Sequence, residues 1–247
     1  MLTIQQYLVK LQNLLVIELV TFGYKSKQRN ELLIRCGSTY GGWWIPKRIL
    51  ENTDTNRLLI SAGLGFDVTF DEALLKAGFE VIGLDPLSDS VNYAVEKLGQ
   101  YPKFTGLNRG LWTQPGKALF FAPRNESHDS WSATNLQKTS IADAREFSVV
   151  TLDELIQKYP QVSANDYLVL KLDIEGSEEF LLSAIASHKH RFDFIAIEMD
   201  FLSIIPFLFF WQRLRSIVKA RTELKNFKNE GYTFLMNEHF NFFWIRE

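Results

Sequence analysis

The stretch Leu168-Val169-Leu170-Lys171-Leu172-Asp173-Ile174-Glu175-Gly176 begins as an apolar run and ends in three ionisable residues and a glycine. Its first half reads as a buried strand. Successive side chains of a strand alternate between faces, so Lys171, Asp173 and Glu175 are expected on the same face. Charges at the end of an apolar strand cost free energy unless they are paired or used. In open α/β sheets, ligands bind outside the carboxyl ends of the strands. The segment therefore predicts a sheet of that kind and a site at its edge.

The rest of the chain supports such a sheet. From Arg57 onward, strands alternate with helices. Leu58–Ser61 reads as a strand entering a glycine turn, Val68–Ala77 as a helix stopped by Gly78, and Glu80–Leu84 as a second strand closed by Asp85-Pro86. A helix over 88–98 follows, with Ser88 as N-cap, then a weaker strand over Phe104–Leu107. Residues 117–121 and 147–150 read as further strands, 151–158 as a helix, 167–173 as a strand, 177–187 as a helix and 192–198 as a strand. A helix over 211–228 ends at Gly231, and strands 232–235 and 240–245 are close enough to form an antiparallel hairpin. The expected fold is α/β and Rossmann-like, with a mainly parallel seven-stranded sheet, a C-terminal antiparallel hairpin and helices on both faces. Residues 3–21 follow helical spacing through Ile4, Tyr7, Leu8, Leu11, Leu14 and Leu15, and 37–46 reads as a glycine–aromatic loop. We expect an N-terminal helical extension over 1–36 and one domain over 37–247.

Composition narrows the function. At 247 residues, with 46% hydrophobic and 23% charged residues, the chain suits one large globular domain. A net charge of −2 supplies no global basic field for nucleic acid. The single cysteine, Cys36, excludes an internal disulfide framework and a cysteine-based zinc site, and is compatible with a cytoplasmic location. No apolar run is long enough to span a bilayer, and no secretory leader is evident. Oligomeric state is not legible.

Two further elements bear on the site. The turn Ser61-Ala62-Gly63-Leu64-Gly65-Phe66-Asp67 follows a strand and opens a helix, so its glycines let the backbone approach a ligand; a plain βα turn has the same pattern. The third glycine of a dinucleotide fingerprint is missing, and Asp67 disfavours a pyrophosphate. Asp85 stands twenty residues beyond Gly65 at a strand end, where it can accept hydrogen bonds from ribose hydroxyls or cap a helix.

With these residues the chain resembles the class I S-adenosylmethionine-dependent methyltransferases, and among them the FkbM-like family. Ile60–Gly65, Asp85-Pro86 and above all Lys171-Leu172-Asp173-Ile174-Glu175-Gly176-Ser177-Glu178 carry the resemblance, which spans roughly 37–247 and includes the loop Tyr40-Gly41-Gly42-Trp43-Trp44. It implies transfer of a methyl group to a hydroxyl, with sugars and glycan-like molecules as common acceptors. It also implies that Ala62, Gly63, Gly65 and Asp67 hold the methionyl part, Asp85 with Pro86 the ribose, and Asn108, Gly110 and Leu111 the adenine. Asp173 would place the donor or orient the acceptor, Glu175 would bind or deprotonate the acceptor, and Lys171 would keep Asp173 ionised. A structural ion pair is the alternative. No His, Asp or Glu set has metal spacing, although Asp173 and Glu175 with one more carboxylate would suit Mg²⁺. His128, in a polar loop, is an alternative base.

His188 and His190 read as structural, and Tyr40, Trp43 and Trp44 as a pocket lid or as core. The basic helix carrying Arg213, Arg215, Lys219, Arg221, Lys225 and Lys228 reads as a solvated face or, with the apolar stretch from 204, as a peripheral membrane contact. The rival functions are methylation of a protein or lipid-linked acceptor, and a non-catalytic scaffold retaining the fold.

Overall fold

The computed structural model describes residues 4–24, 32–123, 131–135, 139–159, 167–188, 192–203 and 210–246. The chain runs α1 (Ile4–Thr21), β1 (Leu33–Cys36), β2 (Trp43–Pro46), α2 (Lys47–Leu50), β3 (Arg57–Ala62), α3 (Thr69–Lys76), β4 (Glu80–Asp85), α4 (Ser88–Leu98) and β5 (Phe104–Asn108). It continues through β6 (Gly110–Leu111), β7 (Gly116–Phe120), β8 (Arg145–Val150), α5 (Leu152–Lys158), β9 (Tyr167–Leu172), α6 (Leu182–Ala186), β10 (Phe194–Glu198), α7 (Phe210–Asn229), β11 (Tyr232–Glu238) and β12 (Asn241–Arg246).

Seven strands form the main sheet in the order β11-β12-β10-β9-β3-β4-β5. The five from β10 to β5 are parallel, while β12 runs antiparallel to both β10 and β11. This is the expected sheet with its terminal hairpin. From β3 the chain winds outward through β4 to β5, then returns to lay β9 on the other side of β3. The reversal leaves a crevice beyond the carboxyl ends of β3 and β9.

Strand alternation divides the core into two faces. Leu58, Ile60, Leu168, Leu170, Ile195 and Ile197 pack with α5, α6 and α7. Leu59, Val169, Phe194 and Ala196 pack instead with α3, α4 and the β1–β2 hairpin. All these side chains are buried, and burying each one larger than Ala196 is worth about 1.5–3 kcal/mol, so both faces of the sheet contribute to stability. The same alternation turns Lys171 toward the hairpin face, over the Trp43 ring.

The local readings differ from the structure at a few points. Residues 37–46 are more than a loop, because Trp43–Pro46 pairs antiparallel with Leu33–Cys36. That hairpin straddles the position expected to separate the extension from the domain. Residues Arg145–Val150 lie outside the main sheet, in a small sheet of order β6-β8-β7. Ser88 is the first helical residue and not the cap, since Leu87 occupies that position. The helix expected over 177–187 is broken into a 3₁₀ turn, Ser177–Phe180, and α6. The N-terminal helix forms, but its buried residues are Val16, Ile17, Val20 and Thr21, while Tyr7, Leu8, Leu11, Leu14 and Leu15 face outward.

Candidate active site

A cavity of about 450 Å³ opens at the crevice, a size suited to a small-molecule ligand. Gly63, Gly65 and Asp67 from the glycine turn line it, with Asp85 and Pro86 from the end of β4. Gly110 and Leu111 of β6 form another wall, and Lys171, Asp173 and Glu175 from the end of β9 close it. Ten of the expected site residues thus converge on one space. The other two, Ala62 and Asn108, do not line it. The Ala62 carbonyl accepts from Asp173 N at 3.0 Å, and the Asn108 amide donates to the Asp85 and Pro86 carbonyls at 3.2 and 2.9 Å. Both hold lining residues in place.

The glycine turn is organised by Asp85. Its carboxylate accepts the N–H groups of Leu64 at 3.0 Å, Gly65 at 3.2 Å and Leu87 at 2.8 Å. Burial pushes this carboxyl up from the ordinary aspartate range, and the three backbone donors oppose the shift. Asp67 serves the neighbouring loop. It accepts from Ser38 Oγ at 2.5 Å, Gly41 N at 3.2 Å, and Thr69 N and Oγ1 at 3.0 and 2.5 Å, which fastens the hairpin turn to the start of α3. Burial opposes its ionisation, but these hydrogen bonds outweigh burial and hold its carboxyl below the usual range. Gly41 and Trp43 line the cavity as a result.

At the end of β9, the Lys171 ammonium donates to the Gly63 carbonyl, lies 3.4 Å from Asp173 and sits 5.4 Å from the centre of the Trp43 ring. Behind it, Asp71 of α3 is fully buried. Burial raises its carboxyl, and Lys171 is the largest opposing influence. Asp71 faces inward on the same helix face as Leu74 and Leu75, three and four positions on, whereas Glu72 beside it is half-buried. The strand ends at Leu172, so simple alternation does not extend to Glu175, which has φ 58° and occupies a left-handed turn with Gly176 at φ 90°. Glu175 reaches the same cavity through that turn.

The end of β10 and the turn after it add Glu198 and Asp200, which spacing did not indicate, and the 3₁₀ turn after β9 adds Glu178. Asp200 has an oxygen within 4.8 Å of carboxylate oxygens of Asp173 and Glu175. Glu178, fully buried, accepts the Ile174 N–H at 2.7 Å. Burial, then Asp200, pushes the Glu178 carboxyl well up; burial, then Glu175 and Asp173, does the same to Asp200. Burial, followed by repulsion from Asp173, Asp200 and Glu175, pushes Glu198 to about 9. The rim is therefore crowded with carboxyl groups, of which Glu178, Glu198 and Asp200 are pushed toward the protonated form, and Lys171 is set among them.

Ser177 ties the acidic turn to residues 131–135. Its Oγ accepts from Ala133 N at 3.0 Å and lies 3.1 Å from Ser132 Oγ. That contact brings Trp131 to the cavity wall. Among the histidines, His188 lies 3.4 Å from Asp153, away from the cavity, and His239 turns the terminal hairpin at φ 53°. His128 and His190 lie outside the described residues, as does the apolar stretch 204–209.

A doubly wound sheet ending in an antiparallel hairpin, with a glycine turn after its central strand and an acidic residue closing the next, has the architecture of a class I methyltransferase. The model of the Methyltransferase FkbM domain family matches residues 56–233, and the chain belongs to that family. It is a class I methyltransferase, and methyltransferases of this fold typically use S-adenosylmethionine. No curated protein matches the sequence. Among solved structures, the chain is similar to the fibrillarin pre-rRNA processing protein of Methanococcus jannaschii, at 9% identity and a TM-score of 0.37, over 92% of this chain and 86% of that one. Nothing about activity follows from a likeness at that level.

Proposed function

We propose that the protein transfers the methyl group of S-adenosylmethionine to a hydroxyl oxygen of a sugar, glycan or related small molecule. The observation that carries this reading is the acidic rim of Asp173 and Glu175 beside a turn shaped by Asp85. A sulfonium donor is a cation and gains from neighbouring carboxylates, whereas a pyrophosphate would be repelled. Gly63 and Gly65 hold the methionyl part, Asp85 offers its remaining lone pair to a ribose hydroxyl, and Gly110 and Leu111 flank the adenine. The acceptor oxygen attacks the methyl carbon in line, the carbon–sulfur bond breaks, and its electron pair stays on sulfur as S-adenosylhomocysteine. Alignment supplies most of the rate for such a displacement. The acceptor proton passes to Glu175, while Asp173, paired with Lys171 at 3.4 Å, positions the reacting groups. Cys36, free and buried, suits a cytoplasmic site of action.

Calorimetric titration with S-adenosylmethionine and with NAD tests the donor; heat with the sulfonium only is expected. Release of S-adenosylhomocysteine across a panel of sugars and glycosides tests the acceptor. Full methylation rates in both Asp173→Asn and Glu175→Gln would sink the residue assignment.

A lipid-linked or protein acceptor is a second reading, favoured by one observation. Leu8, Leu11, Leu15 and Phe22 of the N-terminal region, with Trp211 and Val218 of α7, are exposed large apolar side chains on neighbouring helices. Among the described residues no helix is long and apolar enough to cross a membrane, so contact would be peripheral. Co-sedimentation with anionic vesicles separates the two readings, since a water-soluble acceptor requires none.

A further inference from the structure

We propose that Asp173, Glu175 and Asp200 form a binding site for one hard divalent cation, of the magnesium, manganese or calcium class, in the cavity wall. Each residue contributes a carboxylate oxygen, and the three oxygens lie within 4.8 Å of one another. A cation at about 2.1 Å from its ligands sets opposed oxygens about 4.2 Å apart, and one at about 2.4 Å sets them about 4.8 Å apart. The bound therefore places the three oxygens within the span of one such ion's coordination shell, without choosing among these ions. An all-oxygen set selects these metals over zinc or copper, which favour nitrogen and sulfur ligands.

A second observation, from a residue outside this trio, also calls for a cation. Glu178 is 0% exposed, and its Oε1 takes the Ile174 N–H while its Oε2 has no hydrogen-bond partner among the described residues. The turn that carries it, Ser177–Phe180, packs against the turn Asp200–Leu202, and Asp200 and then Asp173 are the charges that act on its carboxyl. A buried carboxyl oxygen without a donor is expensive unless a proton, a water or a cation meets it. Lys171 is already committed to Gly63 and Asp173. A divalent ion held by the trio would offset the repulsion among these carboxylates and leave open positions for water and ligand. The left-handed turn at Glu175 brings that carboxylate to the trio although the strand has ended.

Asp173 and Glu175 also line the cavity, so the ion would stand where the acceptor hydroxyl is expected and would favour its ionised form. That consequence rests on the methyl-transfer reading, whereas the binding of the ion does not.

The test is titration of chelator-treated full-length protein with Mn²⁺, following the free ion by electron paramagnetic resonance. S-adenosylmethionine binding is measured separately by calorimetry. Wild-type protein is expected to take up one ion per chain, with affinity at least ten-fold weaker in Asp200→Asn and in Glu175→Gln. Both substitutions are close in shape, and near-ultraviolet circular dichroism checks that each variant is folded. If neither variant folds, the wild-type titration and its competition by Mg²⁺ and Ca²⁺ decide the question. No saturable uptake by wild-type protein up to about 1 mM would overturn the inference, as would uptake unchanged in both folded variants. Uptake of Mn²⁺ without binding of S-adenosylmethionine would remove the proposed function and leave the cation site standing. The opposite result would remove only the cation site.

Discussion

A Cβ atom placed on Gly63 would lie 1.6 Å from the carbonyl oxygen of Asp173. The glycine turn and the acidic strand end are therefore in backbone contact, and no side chain fits between them. Gly63 also has φ 84°, where other residues are strained. Gly65 shares the positive φ, at 54°, but an added Cβ there meets nothing within 4 Å. Gly63→Ala is expected to destabilise the fold by about 3 kcal/mol or more, against about 1 kcal/mol for Gly65→Ala. Urea denaturation of the two variants beside the wild type checks this. Equal losses would contradict the contact.

Asp67 gives a pH dependence. Its folded-state carboxyl is held below the ordinary value of 3.8 by Ser38, Thr69 and Gly41, against burial. Because the folded pKa is depressed, the stabilisation is present above 3.8 and is lost as pH falls through the folded value. Asp67→Asn is expected to cost about 1 kcal/mol at pH 7, the partial exposure of the group limiting the effect. Once the pH is below the folded value the two proteins should converge. Denaturation curves at pH 7 and in acid measure the difference, and an undiminished gap in acid would exclude this origin.

Asp85→Ala leaves the N–H groups of Leu64, Gly65 and Leu87 without their acceptor. Losing buried partners of this kind costs about 2–4 kcal/mol in sum, because water replaces part of the bonding. The turn should also loosen, so affinity for S-adenosylmethionine is expected to fall at least about ten-fold. Asp85→Asn, which keeps one carbonyl oxygen, should fall between the two. A melting-temperature series with increasing donor reads both effects.

Lys171 joins the two halves of the site through Gly63 and Asp173. Lys171→Met keeps much of the stem that packs beside Trp43 but removes the charge. We expect the methyl-transfer rate to fall by about 100-fold, as for misplacement of the reacting groups once Asp173 loses its partner, with little change in donor affinity. Single-turnover rates together with calorimetry separate the two terms. A large loss of binding with an unchanged rate would assign Lys171 to the donor alone.

Much of this site is legible along the chain. The glycine turn, Asp85 and the charged end of 168–176 lie within single strand–turn units. Their residue types answer to rules of strand alternation, positive φ and helix starts that operate over a few positions. The run of βα units likewise implies a parallel sheet with helices on both faces. Errors arise where local rules have competitors. The segment 43–46 forms a strand because Leu33–Cys36 offers a pairing partner, and 177–187 breaks because the left-handed residues 175 and 176 set its start.

Asp200 could not be read this way, and neither could the burial of Glu178 beside it, although Glu178 lies in the segment that carries the resemblance. Asp200 reaches Asp173 because β10 pairs in parallel with β9, with Ile197 opposite Leu172, so the two strand ends finish side by side. Trp43 reaches Lys171 because its hairpin packs on the sheet face toward which Lys171 points, and Asp67 pins the turn. Nearest-neighbour stereochemistry sets the period of each element and the chemistry of each turn, so these are written in short stretches of chain. The meeting of carboxylates from separate strands depends on sheet order and register, which burial of the whole apolar surface selects and no single segment contains.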